Sequence, residues 1–155
     1  MGRFVFETAP NRLMGVLLLA GVGINFANVV GRYAFGQAIY WTEEVLVFMT
    51  IWGVFLGLVA IAYTGGHLNM DLLSSRFTGR ARTAVNGLAA LAMVLCCAFV
   101  VVQSIQIVFL FAQAGQVSVA AGVPKAIPHA ALLVGFAFAA VAVLVRIRSY
   151  LSGKF

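Results

Sequence analysis

Two adjacent carboxylates, Glu43 and Glu44, are the most reactive-looking pair of side chains in this sequence. They are two of only four acidic residues in the chain, and they directly precede an uncharged apolar run, 45–64. Paired carboxylates can act as a general acid and base or can bind a cation. They also suit the first turn of a helix, where free backbone N–H groups favour an anion. The choice between these roles depends on the elements that position the pair.

The composition of the chain identifies lipid as its solvent. Its 155 residues are 63% hydrophobic and 9% charged, and the mean hydropathy is +1.06. A water-soluble domain carries about a quarter charged residues, so this chain lacks the polar surface to cover a globule in water. The net charge of +6 does not indicate nucleic acid, because the basic residues fall in short gaps between apolar runs. We therefore predict a membrane protein that contacts lipid and no nucleic acid.

Four apolar runs are long enough to cross a bilayer, which takes about 20 residues at about 1.5 Å each. None of the four contains a charged side chain, and they cover residues 13–31, 45–64, about 84–112 and 126–145. The first is too long for the core of a cleaved signal peptide, so we interpret it as a retained helix. The third is long enough to tilt or to project beyond the hydrocarbon. The sequence predicts an all-α integral membrane protein: one transmembrane domain, residues 1–155, with four transmembrane helices.

The distribution of basic residues predicts the orientation of these helices. Two lie in the gaps on one side, Arg32 and Lys125. Eight lie on the other side: Arg3, Arg12, Arg76, Arg80, Arg82, Arg146, Arg148 and Lys154. Because Lys and Arg accumulate in cytoplasmic segments, both termini are predicted to be cytoplasmic, and loops 32–44 and 113–125 to face outward.

In this topology Glu43 and Glu44 lie at the outward face, where the second helix enters the membrane. A charge at the bilayer centre would cost about 2.5–3.5 kcal/mol or more, whereas the interface tolerates it. Thr42 is a suitable N-cap, and Trp41 is a suitable interfacial anchor. A helix start at the membrane surface explains most of this stretch but not its use of two carboxylates. An ion pair between Arg32 and either glutamate would tie the first helix to the second.

Polar stripes run along the first and third helices. Amides in hydrocarbon seek a partner, typically across a helix–helix contact. At 100° per residue, each stripe covers about 60–80° of its helix; the members are Gly21, Asn25, Asn28 and Arg32 on the first, and Gln103, Gln106 and Gln113 on the third. The first stripe either packs inside this chain or meets another polypeptide. We expect the second to be a protein-facing seam. On the second helix, Gly53 and Gly57 form a G-x-x-x-G pattern that permits close helix approach.

The second loop, 64–82, mixes apolar and polar residues in the way of a short helix lying at the cytoplasmic interface. His67 and Asp71 are four residues apart and can pair on one helical face. They are poor candidates for a proton relay, because they lie at the membrane edge rather than along a path.

The remaining reactive groups do not assemble into a catalytic or metal site. Cys96 and Cys97 are neighbours, and neighbouring helical residues point about 100° apart, so they cannot close an ordinary disulfide. His67 and His129 are predicted on opposite sides of the bilayer and cannot be the two axial ligands of one haem. The sequence contains no cluster typical of a metal site and no Ser–His–acid set. We predict no catalytic residue, no metal and no cofactor in this chain.

Three segments together resemble the small membrane subunit of tripartite ATP-independent periplasmic (TRAP) transporters. They are NVVGRYAFGQAIYWTEEVLVFMTIWGVFLG at 28–57, GGHLNMDLL at 65–73 and GVPKAIPHAALLVGF at 122–136. The positions that match the pattern of the family are Arg32, Tyr33, Phe35, Trp41, Glu43, Glu44, Trp52, His67, Asp71, Pro124 and Pro128. Lys125 and Thr64 depart from it, where the family often has an aromatic and a basic residue.

The resemblance implies an accessory role in the inner membrane of a bacterium. In this family a large membrane subunit carries the solute and sodium sites, and a periplasmic binding protein delivers the solute, usually an organic acid. The small subunit packs beside the large one and contributes to the surface on which the binding protein docks. The matching residues are then expected to be structural or to lie at subunit contacts, and Trp41, Glu43 and Glu44 to form an anchor that contacts Arg32 or basic groups of the large subunit.

A stand-alone transporter acting as a homodimer is the alternative from another class. Small four-helix drug exporters work in this way, with a membrane-buried glutamate as the shared proton and cation site. Here no carboxylate lies within any of the four runs. A membrane redox or haem subunit is disfavoured by the placement of the histidines and the spacing of the cysteines.

Overall fold

The computed structural model of the chain describes residues 2–65 and 80–152. Their regular structure is helical, with no strand in these two ranges. A π-helical turn, Phe4–Thr8, precedes five α-helices: α1 (Ala9–Ala34), α2 (Thr42–Thr64), α3 (Arg80–Gln113), α4 (Ala126–Val145) and α5 (Ile147–Ser152). The predicted all-α class is confirmed. The predicted interfacial helix in loop 64–82, with His67 and Asp71, lies outside the described residues.

Within the described residues, four helices are long and apolar enough to cross a membrane: Phe4–Ala34, Thr42–Thr64, Ala81–Gln113 and Ala126–Val145. They coincide with the four predicted runs, although the first begins earlier than expected. Pro10 lies just after the π-helical turn, where it has no N–H to donate to the preceding helical residues. Arg3 and Glu7 form an ion pair at 2.9 Å one turn apart, which favours the extension. The cytoplasmic location of both termini stays a prediction.

The helices stand in the order α1–α2–α4–α3, because the principal contacts join α1 to α2, α2 to α4, and α4 to α3. The helices α1 and α3 therefore occupy opposite edges of the row. Glycines let neighbours approach: a Cβ on Gly135 of α4 would lie 2.6 Å from Phe55 Cβ of α2. A Cβ on Gly57 would lie 3.2 Å from Met14 Sδ of α1. The G-x-x-x-G pattern thus does lie at a close helix contact.

The part of α3 that exceeds the thickness of a hydrocarbon core packs against another helix of the chain. At about 1.5 Å per residue, its 34 residues span about 51 Å, well beyond the roughly 30 Å of a hydrocarbon core. Its first turns pack against the short helix α5, where a Cβ on Gly87 would lie 3.2 Å from Leu151 Cδ2. This packing supports the projection of α3 beyond the hydrocarbon.

The buried core lies at the same end of the helices as α5. Its buried members are Ala62, Ala90, Cys97, Ala139, Ala142, Val143 and Tyr150. The Tyr150 hydroxyl donates a hydrogen bond to the carbonyl oxygen of Ala62, which ties α5 to the end of α2. Cys97 is buried while Cys96 is exposed, and both are free, as their adjacency predicted.

Candidate functional site

A hairpin-like loop between α3 and α4 is held by Glu44. The loop, residues 116–125, is closed by hydrogen bonds from Ser118 N to Val123 O (2.8 Å) and from Lys125 N to Gln116 O (2.9 Å). Glu44 Oε2 accepts hydrogen bonds from Ala121 N at 2.8 Å and from Ala120 N at 3.1 Å. We call residues 116–125 the hairpin and this end of the molecule the hairpin end.

The bonds to the hairpin give Glu44 a structural role inside the chain. A carboxylate that accepts two N–H groups forms stronger hydrogen bonds than a neutral acceptor would. The first turn of α2 is thereby joined to a loop 76 residues further along the chain. Within the chain the partner of Glu44 is therefore backbone, and contact of the predicted anchor with basic groups of a large subunit stays a prediction.

Two detailed expectations about this stretch are wrong. Among residues 2–65 and 80–152 the only ion pair is Arg3–Glu7, so Arg32 pairs with neither glutamate within the chain. Thr42 is the first residue of α2 rather than its N-cap; Trp41 is the N-cap, without a side-chain capping bond. The preceding turn, in which Thr42 N donates to Ile39 O at 3.2 Å, takes the place of the capping bond. The buried Thr42 hydroxyl has no hydrogen-bond partner in the described structure.

The polar stripe of α1 divides into an inner and an outer part. Asn28 is buried, and its Oδ1 accepts a hydrogen bond from Ile39 N at 2.7 Å. Asn28 therefore fixes the loop that follows α1. A Cβ on Gly31 would lie 2.8 Å from Gln37 O, so the loop also requires a glycine there. Asn25 and Arg32 are exposed and remain available to a partner.

Aromatic side chains are exposed around the hairpin end, which is typical of a membrane–water interface. Trp41 is 36% exposed, and the others are more so: Tyr33 84%, Phe35 76% and Tyr40 77%. Trp52 lies deeper, in the wall of a small cavity of about 160 Å³ between α1, α2 and α4. The position of Trp41 at the hairpin end agrees with its predicted role as an interfacial anchor, which stays a prediction.

A second pocket, of about 490 Å³, opens beside the hairpin between α2 and α4. Its polar residues include Glu43, Ser118, Lys125 and His129, and its apolar wall includes Phe48 and Leu132. The His129 Nδ1 atom lies 2.8 Å from Lys125 O, and its ring lies 4.6 Å from the Phe111 ring. Glu43 and Glu44 both line this pocket; Glu43 is exposed, whereas Glu44 is also engaged by the hairpin.

The two prolines near the hairpin have different surroundings. Pro124 is exposed and forms the isolated bridge of the hairpin with Val117. Pro128 is buried in the first turn of α4, where the helix has free N–H positions and loses no bond to proline. Both residues shape the entry to α4.

On α3 the glutamines face away from the rest of the chain. Gln103, Gln106 and Gln113 are exposed, whereas Ser104 is buried. No hydrogen bond to these three side chains or to Asn25 forms within residues 2–65 and 80–152. In the same ranges no three His, Cys, Asp or Glu side chains come together as a metal site would need. The described polar groups are suited to holding loops and meeting partners.

Comparison with known proteins agrees with this geometry. A family model for the DctQ component of tripartite ATP-independent periplasmic transporters matches residues 21–153. The chain belongs to the DctQ family. It is 25% identical over 101 residues to a protein of Haemophilus influenzae provisionally named a TRAP transporter small permease. It is 29% identical over 123 residues to the ectoine TRAP transporter small permease protein TeaB of Halomonas elongata.

These alignments cover 65% and 79% of this chain, and they span 62% and 63% of the two relatives. The matched DctQ region contains α2, α3, α4 and α5 and about half of α1. The family consists of transporter subunits rather than enzymes, and this chain is a multi-pass protein of the bacterial inner membrane. The resemblance drawn from the three sequence segments is confirmed.

The sequence did not single out the hairpin or the pocket beside it. Ser118 and Lys125 lie in a loop whose fold depends on backbone N–H groups, which leave no mark on residue type. Two glycines with positive φ were the available signal: Gly115 (58°) directly precedes this loop, and Gly122 (65°) lies within it.

Proposed function

We propose that this DctQ chain is the accessory small permease subunit of a sodium-driven TRAP transporter that imports an organic acid. It packs beside a large membrane subunit, widens the fixed scaffold of that subunit, and helps to form the docking surface for a periplasmic binding protein. The solute and sodium sites belong to the large subunit. The Halomonas relative is named for ectoine, and at 29% identity that solute is not transferred to this chain.

The observation that carries this proposal is the exposure of amide side chains at hydrocarbon depth. Asn25 lies nine residues from the end of α1, and Gln106 and Gln103 lie seven and ten residues from the end of α3. At about 1.5 Å per residue, these positions are roughly 10–15 Å from the helix ends. An amide without a partner in an apolar medium costs roughly 2–7 kcal/mol, and acyl chains offer it no hydrogen bond. We therefore expect these amides to form hydrogen bonds with another polypeptide.

The arrangement of the helices supports a scaffold rather than a conduit. The residues 13–31, 45–64, 84–112 and 126–145 contain no charged side chain that could bind a coupling ion or an anionic solute. None of the four described membrane helices is broken at mid-span, the feature that builds binding sites in many secondary transporters. Both observations support the proposal that a partner carries the chemistry of transport.

The hairpin end is the proposed contribution to the docking surface. Glu44 holds the hairpin in one conformation, so the exposed Val119 and the pocket with Glu43 and Lys125 form a defined surface. In the predicted orientation this surface faces the periplasm. Charged rim groups of this kind steer a soluble partner and set its register.

Solute uptake by reconstituted liposomes tests the proposed function. The large subunit and the loaded binding protein are present throughout, and this chain is included or omitted under an inward sodium gradient. We expect uptake to require all three components and the gradient. Undiminished uptake without this chain would contradict the accessory role, and uptake by this chain alone would favour the stand-alone homodimer.

A further inference from the structure

The edge helix α3 carries two parallel seams of side chains. The first seam packs against the rest of the chain; Asn86, Ala90, Cys97 and Ser104 are buried, and Met93 between them is partly buried. Its members recur mostly at intervals of three and four residues, as in helices packed side by side. Because α3 packs against α4 and, at its first turns, against α5, this seam accounts for the internal packing of the helix.

The second seam has the same spacing but no partner in the described structure. We call it the free seam; all its members are exposed, and they are Leu88, Ala92, Leu95, Phe99, Gln103, Gln106, Leu110 and Gln113. At 100° per residue they fall within about 80° of one another and lie roughly 140° from the buried seam. The free seam therefore runs along the side of α3 that faces away from α4.

The chemistry of the free seam distinguishes a helix partner from lipid. Leu and Phe at intervals of three and four residues are the knobs that insert between the side chains of a neighbouring helix, but they would suit lipid equally. Gln103 and Gln106, one turn apart within the seam, do not suit lipid. Their amides need donors and acceptors at that depth, and only another membrane-embedded polypeptide supplies them.

We infer that the free seam of α3 is the surface on which the large membrane subunit packs, through a transmembrane helix whose polar side chains or exposed backbone carbonyls hydrogen-bond to Gln103 and Gln106. This inference rests on the proposed function, and it selects one edge of the row. The α1 edge is the weaker candidate, because Asn28 is engaged inside the chain and Asn25 is its single exposed amide at that depth.

Photo-cross-linking in the assembled membrane complex tests this assignment. A photoreactive phenylalanine analogue replaces Phe99 or Leu110 in the free seam, and replaces Ile105 as the matched control. Ile105 is exposed on the same helix at the same depth but lies about 120° from the centre of the free seam. A further position, Leu19, reports on α1.

We expect adducts with the mass of the large subunit from Phe99 and Leu110, at least fivefold stronger than from Ile105. Adducts of this chain with a second copy would overturn the choice of partner. Adducts with lipid alone at the free seam, or with the large subunit from Leu19 only, would overturn the choice of face. If the unsubstituted chain does not co-purify with the large subunit at all, the proposed function itself fails. Failure of the proposed function is thereby distinguished from failure of the assigned face.

A substitution pair supplies a second readout. Gln103→Leu combined with Gln106→Leu removes the interhelical hydrogen bonds while leaving α3 better suited to lipid. We expect retention of the large subunit to fall about tenfold, which corresponds to about 1.4 kcal/mol for the two interhelical hydrogen bonds together. Thr50→Val is the control, because the exposed Thr50 hydroxyl already donates to Leu46 O in its own helix. Equal retention in both variants would contradict the role of the glutamines.

Discussion

The contact between Gly135 of α4 and Phe55 of α2 provides a sharp test of how the helices pack. Adding a methyl group as Gly135→Ala would place the new Cβ 2.6 Å from Phe55 Cβ and 3.1 Å from Phe55 Cγ. Real Cβ atoms essentially never come so close. Because the position of a Cβ is fixed by the backbone, a change of rotamer at Phe55 cannot relieve the contact, and the two helices must move apart.

The size of the effect follows from comparison with an unobstructed glycine. Overpacking a core by one methyl group costs about 1–3 kcal/mol, and here the upper half of that range is expected because two backbones must separate. The intrinsic preference of a helix for Ala over Gly opposes this by up to about 1 kcal/mol. Gly15→Ala on α1 has the same preference but meets nothing within 4 Å. The difference between the two variants therefore isolates the steric cost.

Equilibrium unfolding in mixed micelles, followed by the fluorescence of the two tryptophans, measures this difference. We expect Gly15→Ala to leave the free energy of unfolding unchanged or to raise it. Gly135→Ala should be about 2–3 kcal/mol less stable than Gly15→Ala. If the two variants agree within about 0.5 kcal/mol, the spread of an ordinary surface substitution, the described packing of α2 on α4 is wrong.

Two further predictions concern polar groups that hold loops. Glu44→Ala should speed hydrogen exchange of the backbone amides at 120–121, because their hydrogen bonds to the carboxylate are lost. The same variant should lower transport without changing the solute. Glu43→Ala is the control and should leave that exchange unchanged. A matching slow exchange in both variants would contradict the anchoring of the hairpin. Asn28→Ala should lower the free energy of unfolding by about 1–3 kcal/mol, since it leaves a partly buried N–H without its acceptor. Asn25→Ala is its control in the isolated chain, and equal losses from both would refute the distinction between them.

The location of the membrane helices was predictable because crossing a bilayer imposes a strong rule on composition. An uncharged apolar run of about 20 residues has few other uses, so 45–64 and 126–145 could be recognised with nearly the correct ends. The lateral order of the helices was not predictable in the same way. Lipid and protein interior are both apolar, so the side of a helix that faces its neighbour differs little in hydrophobicity from the side that faces lipid. The position of α4 between α2 and α3 depends instead on shape, such as the missing side chain at Gly135.

The polar stripe of α1 shows the limit of pattern reasoning within one helix. Asn25 and Asn28 lie within about 60° of each other, so a helical wheel treats them as one surface. The structure separates them because the chain after Ala34 folds back and brings Ile39 N to Asn28 but leaves Asn25 uncovered. That fold depends on the close approach at Gly31 and on the positive φ of Gly36 (66°). The sequence contained both glycines, but it did not show which amide the returning loop would reach.

The use of two carboxylates at the start of α2 now has a physical explanation. Helical residues one position apart point about 100° apart, so the side chains of adjacent glutamates can contact different groups. Glu44 faces the hairpin and is engaged by backbone N–H groups, and a helix start alone would need neither this bond nor a second acid. Both glutamates line the pocket with Lys125 and His129, but Glu43 has no ion pair within residues 2–65 and 80–152. One carboxylate thus fixes the hairpin, and the other leaves a negative charge beside it that the proposed docking partner would meet.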